Sequence, residues 1–129
     1  MFKTLFSIGL IATLGACGAP PVENVPGGDG FVSVTDQAAF ANAVVDRRLS
    51  PPANPDRWFM LNSDGAVTGE FGRGPVVGTW EFVDGYWCRE FSAGVGSLAY
   101  DCQSVELSGS TVRLTRDRGA GDAGVFDIQ

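Results

Sequence analysis

Residues 58 to 91 read WFMLNSDGAVTGEFGRGPVVGTWEFVDGYWCREF, and this stretch decides the fold. Asp64-Gly65 and Asp84-Gly85 are dipeptides that accept positive φ and so favour tight hairpins. Gly72-Arg73-Gly74-Pro75 supplies a third turn, with its proline placed just ahead of a strand rather than inside one. Between the turns the apolar residues alternate: Val67 and Phe71, then Val76, Trp80 and Phe82. A period of two buries one face of a sheet and leaves the other in water. The stretch therefore predicts four short antiparallel strands joined as a meander.

Downstream the pattern continues. Ser92 to Ser97 is a loop whose glycines, Gly94 and Gly96, lack the third glycine and the βαβ setting of a nucleotide motif. Leu98 to Leu107 is the next strand, Ser108-Gly109-Ser110 a turn, and Thr111 to Arg116 a strand with Val112 and Leu114 on one side. A charged loop, Arg116 to Asp122, leads to a last strand ending at Val125 to Ile128. Upstream, Ser33 to Leu49 carries the helical pattern, with Ser33 or Thr35 as cap, Asp36 in the first turn, and Phe40, Ala41, Val44 and Val45 as an apolar stripe. Residues 45 to 50 read equally as the helix end or as a first strand, before Ser50 to Pro55 interrupts regular structure. The fold class expected is all-β: a seven- or eight-stranded antiparallel meander closing into a small barrel, which removes exposed edges, with one short N-terminal helix. Trp80, Phe82, Phe71, Phe126, Ile128 and Leu114 are bulky enough to predict a filled interior.

The chain begins differently. Phe2-Lys3 gives a short positive start and Thr4 to Leu14 an apolar run of secretory length, too short to span a bilayer, which takes ~20 residues. Leu14-Gly15-Ala16-Cys17 follows, and it resembles the lipobox of bacterial lipoproteins, in which an aliphatic residue and two small residues precede the acylated cysteine. The resemblance implies cleavage after Ala16, palmitate-type acyl chains on Cys17 and a membrane partner reached through that anchor; two or more chains anchor stably where one does not. Gly18, in place of the aspartate that retains enterobacterial lipoproteins at the inner membrane, leans towards the outer membrane. Three segments result: a signal peptide over 1–16, the lipidated cysteine and a Pro/Gly-rich tether over 17–30, and a single domain over 31–129.

Composition narrows the function. The chain of 129 residues has a formal charge of −6, and losing Lys3 with the signal takes it to −7. So acidic a domain is a poor partner for nucleic acid. Histidine is absent, which removes Ser-His and Cys-His nucleophiles, histidine bases and histidine metal ligands together. Neither a metal nor another cofactor is expected. With Cys17 acylated, Cys88 and Cys102 form an even pair in an oxidising compartment. If their strands pair about the midpoint of residues 92 to 97, opposed positions sum to about 190, which sets Cys88 against Cys102 within reach of a disulfide.

Three groups merit weighing as chemistry. Tyr86, Trp87 and Arg89 surround Cys88, and arginine beside aromatics suits an anionic or sugar ligand; alternatively Trp87 and Phe91 pack while Arg89 pairs with an acid on a neighbouring strand. The Arg116 to Asp122 loop can fold a backbone nest for an anion beside Arg116 or Arg118, or serve as a solvated turn in which Arg116, Arg118 and Asp122 satisfy one another. Glu70, Glu81, Glu90 and Asp101 fall at alternate strand positions and read as a polar outer face rather than as paired catalytic acids.

A second resemblance rests on the LNSDG turn, GTWEF, GYWCRE, the cysteine of YDCQ and the terminal RDRGAGD loop. Together they are similar to a family of small exported alphaproteobacterial proteins, and the likeness spans most of residues 36 to 129. It implies an exported domain facing the periplasm without implying an activity; LNSDG and GTW also occur in lipocalin-like meanders. The expectation is a non-catalytic module binding a small ligand or a periplasmic protein. The alternative is an inhibitor of a secreted hydrolase, since Ser108-Gly109-Ser110-Thr111 partly resembles the serine-glycine loop of periplasmic lysozyme inhibitors, without the tyrosine that follows there.

Overall fold

A computed structural model describes residues 29–95 and 98–129. The expected signal peptide, Cys17 and nearly all of the tether lie outside the described residues. Among those described, no helix is long and apolar enough to cross a membrane.

The elements are β1 (Val32–Ser33), α1 (Gln37–Val44), β2 (Arg48–Ser50), β3 (Trp58–Leu61), β4 (Ala66–Glu70), β5 (Val77–Val83), β6 (Tyr86–Ala93), β7 (Leu98–Ser108), β8 (Thr111–Thr115) and β9 (Ala123–Ile128). Strands β2 to β9 pair in sequence order, and β9 returns to pair with β2, Leu49 facing Ile128. The result is a closed antiparallel barrel of eight strands with no free edge. β1 is a two-residue addition that pairs with Leu107 and Glu106 of β7. It was not foreseen, because two residues carry no readable period.

Of the two readings of residues 45 to 50, the strand holds and the helix end does not. The helix ends at Val44, and after a turn with Asp46 at positive φ the chain becomes β2. The cap is neither Ser33 nor Thr35. Asp36 sits ahead of the first turn with extended dihedrals, and its carboxylate accepts from the Ala39 amide at 2.9 Å. The two Asp-Gly turns also differ. Asp84 and Gly85 both take positive φ, as a two-residue hairpin requires, whereas only Gly65 does so in the longer turn over 62–66.

An up-and-down barrel sorts its connections by parity. The turns at 62–65, 84–85 and 109–110 share one end with α1; the connections at 51–57, 71–76 and 116–122 share the other, as do the end of β6 and the start of β7. The helix end is filled. Phe40 and Val44 are buried, and the Phe40 ring stacks on Phe82 at 4.7 Å and tilts on Trp80 at 5.8 Å. The α1–β2 link is pinned there by the Asp46 amide on Leu61 O and the Ser63 amide on Asp46 Oδ1. Leu49, Leu61, Val67, Val105 and Val112 complete this core.

Register follows from side-chain parity. In β5 and β6, Trp80 opposes Arg89 and Phe82 opposes Trp87, all facing inward, while Glu81 opposes Cys88 on the outer side. Across β6 and β7, Trp87 opposes Gln103, Cys88 opposes Cys102 and Arg89 opposes Asp101 before a bulge shifts Phe91 to Leu98. Cys88 and Cys102 are joined as a disulfide.

Candidate functional site

The interior is not filled to the top. Above the aromatic layer the barrel holds a cavity of about 490 Å³, open at the end away from α1. That volume lies within the ~300–1,000 Å³ usual for small-molecule sites.

Its floor is built around Phe59. The Phe59 ring meets Phe126 edge-on at 5.0 Å, Phe71 at 6.0 Å, Trp87 at 6.2 Å and Phe91 at 6.5 Å, the spacings aromatic pairs prefer. Two glycines keep these rings off the barrel axis. A Cβ at Gly78 would come 2.7 Å from Phe91 Cδ1, and one at Gly124 would come 2.9 Å from Phe126 Cε2. Each ring thus lies against the wall in the space a side chain would take, and the lumen stays open. The expectation of a filled barrel is corrected for this reason: aromatic bulk packs sideways onto glycine rather than inward.

The wall is basic. Arg57, Arg73, Arg89 and Arg116 all line the cavity, against a single lining carboxylate, Asp122. Arg89 is the deepest, only 3 % exposed. Its Nη1 donates to Ala99 O at 2.8 Å, and its Nη2 lies 3.8 Å from Asp101 Oδ2. With the Gln103 amide oxygen turned towards the guanidinium, Arg89 Nε and Nη2 donate to it at 3.3 and 3.0 Å. Burial pulls the Arg89 pKa below its ordinary value, Asp101 raises it, and nearby Arg116 lowers it. An arginine starts so high that it stays charged nonetheless. Arg57, Arg73 and Arg116 make no ion pair with an acid among the described residues. Arg57 instead lies over Gly72, where a Cβ would stand 3.2 Å from its Nε.

The Trp87 indole belongs to the same wall. The residue is 2 % exposed, lines the cavity, and its Nε1–H finds no acceptor among the described residues. A buried donor without a partner costs about 1–3 kcal/mol. Trp80, by contrast, donates its Nε1–H to Asn62 O at 2.8 Å.

Of the residues singled out from sequence, Trp87, Arg89, Arg116 and Asp122 converge on the cavity. Tyr86 and Arg118 do not. They meet on the outer surface, with the Arg118 guanidinium 5.4 Å from the Tyr86 ring. The 116–122 loop is not a vacant amide nest. Its amides at 116, 119, 120 and 121 donate to carbonyls of the loop itself, and the Asp117 amide donates to Asp101 Oδ1 at 3.2 Å. Glu70, Glu81 and Glu90 do face outward, but Asp101 belongs with Arg89 at the upper rim of β7. Ser108 to Thr111 is a two-residue hairpin at the helix end, far from the mouth in strand order.

Arg57, Arg73 and Gln103 were missed. The signal that finds the first two is parity: once the meander is drawn, the connections carrying Arg57, Arg73 and Arg116 fall at one end. Among the described residues no group of three acids or cysteines is placed to hold a metal ion. Compared with known protein families, curated proteins and solved structures, the chain matches none.

Proposed function

We propose that this chain is a lipid-anchored envelope protein whose barrel binds a small ligand without transforming it. The observation that carries the reading is the open cavity of about 490 Å³ over an aromatic floor. Arginines supply its charge, and a guanidinium suits anion binding and is poor at the proton transfers of catalysis. The lipobox over Leu14 to Cys17 and the tether after it support a domain held at the periplasmic face of a membrane, the outer membrane by the residue at position 18. Native mass spectrometry of the exported chain tests the proposal. A small molecule retained in stoichiometric amount supports it. A mass equal to the bare polypeptide and its anchor, after gentle isolation and after incubation with periplasmic extract, contradicts it.

A further inference from the structure

Resting on that reading, we infer that the ligand is an anionic amphiphile, with an acidic head between Arg57, Arg73 and Arg116 and an apolar body on the Phe59 layer. Charge distribution carries the argument. The chain is acidic, with 15 Asp and Glu against 9 Lys and Arg. Yet four of those nine basic residues line one cavity, opposed there only by Asp122 and, beside Arg89, by Asp101. The cavity is left with two positive charges in excess in a molecule that is negative overall.

The arginines divide into two kinds. Arg89 is held by Ala99, Gln103 and Asp101, and it positions the wall rather than waiting for a ligand. The three at the mouth have no acid within ion-pair distance among the described residues, and they come from three different connections. Three guanidinium groups that share one cavity with a single carboxylate, Asp122, and pair with none repel one another, and an acidic group placed between them relieves that repulsion while gaining charge-assisted hydrogen bonds. A simple inorganic anion would leave the rest of the cavity unused. Below the arginines the lining is Phe59, Phe71, Trp87, Phe91, Leu114 and Phe126, which rewards burial of apolar surface. At ~30 Å³ per water-sized group, the cavity of about 490 Å³ takes roughly sixteen non-hydrogen atoms, head and body together.

The shared chemistry is a carboxylate or phosphate on an apolar body, and a matched series of probes separates the parts. Calorimetric titrations would use decanoate, decyl phosphate, decanol and inorganic phosphate with the full chain exported as Cys17→Ser, so that no acyl chain of its own competes. Decanoate or decyl phosphate should bind about tenfold or more tighter than decanol, the worth of one charge-assisted hydrogen bond. That preference should shrink to less than about threefold in the Arg57→Gln/Arg73→Gln/Arg116→Gln variant, while Arg47→Gln, which removes a charge elsewhere, should keep it. Which of the two acidic probes binds tighter identifies the head. Decanol binding as tightly as decanoate would overturn the anionic head and leave the ligand-binding cavity standing. Inorganic phosphate binding as tightly as decyl phosphate would overturn the apolar body. Failure of all four probes would overturn this inference and count against the binding cavity itself.

Discussion

Cys88 and Cys102 face each other across the β6–β7 ladder, bonded on the outer side, while their neighbours Trp87, Gln103 and Arg89 line the cavity. The disulfide therefore clamps the two strands that carry the buried wall of the site. Its sequence separation is 14, and closing a loop of that length stabilises by about 3 kcal/mol in the chain-entropy model. Replacing both cysteines by serine should lower unfolding free energy by about 2–4 kcal/mol and weaken decanoate binding, read by denaturant titration and calorimetry. Peptide mapping of the unreduced exported chain should join the two strands; free thiols at both positions would remove the clamp from the account.

Arg89 separates binding from stability. Its acidic partner Asp101 has a side chain 27 % exposed and also accepts from the Asp117 amide, so losing the guanidinium does not strand a fully buried charge. Arg89→Met should shift stability by no more than about 1.5 kcal/mol, since apolar replacements of buried ionic groups are often close to neutral. It should still reduce decanoate affinity severalfold, through loss of positive field in the wall. A stability loss beyond about 3 kcal/mol would mean that the arginine is held for the fold rather than for the cavity.

Gly78 controls the lumen. A Cβ there would come 2.6 Å from Glu90 O and 2.7 Å from the Phe91 ring, so Gly78→Ala must push the ring or the strand aside. Overpacking of this kind costs about 1–3 kcal/mol, and the displaced ring should also narrow the cavity. Urea unfolding and probe titration of the same variant read both effects. A variant as stable as its parent, with unchanged binding, would show that Phe91 does not need the wall position.

Acid should release the start of the domain before the barrel. Asp29 accepts from Arg113 and from the Phe31 amide, and these bonds, led by the arginine, hold its carboxyl below the ordinary carboxylate value. A carboxyl depressed on folding contributes stability above its unfolded pKa and loses that contribution as pH falls through the folded value. Below about pH 4 the segment ahead of β1 should therefore loosen. Hydrogen exchange at the Val34 amide, which donates to Val105 O at 2.8 Å, should accelerate there relative to barrel amides. Asp29→Asn should show the faster exchange already at neutral pH. Equal protection at pH 6 and pH 3 would detach this ion pair from the anchoring of β1.

Much of the fold was legible because the barrel obeys a period of two. Val67, Phe71, Val76, Trp80, Phe82, Val112 and Leu114 face inward as their alternation requires, and the register of Cys88 on Cys102 followed from loop symmetry. The cavity was less legible. Bulky aromatics in a sequence look like filling, but in the folded barrel Phe91 and Phe126 lie back over Gly78 and Gly124. An in-strand glycine two residues from an aromatic, on the inward parity, was the available hint at Gly124. Arg118 misled because loop residues have no parity: positive φ at Asp117 and Arg118 turns that side chain out to Tyr86, while Arg116, still close to strand geometry, stays with the cavity.

A ligand that enters the barrel meets the Trp87 side chain, which lines the cavity. The chain has three tryptophans, and each has a distinct setting: Trp58 outside under Arg48 at 4.1 Å, Trp80 bonded to Asn62 O, and Trp87 in the cavity wall without an acceptor. Their indole Hε1 signals can be followed in a ¹H–¹⁵N spectrum as decanoate is added. Binding in the barrel should give a saturable shift of the Trp87 signal while Trp58 and Trp80 hold still. Saturation of binding with Trp87 unmoved, or a shift confined to Trp58, would place the ligand outside the barrel and contradict binding within it.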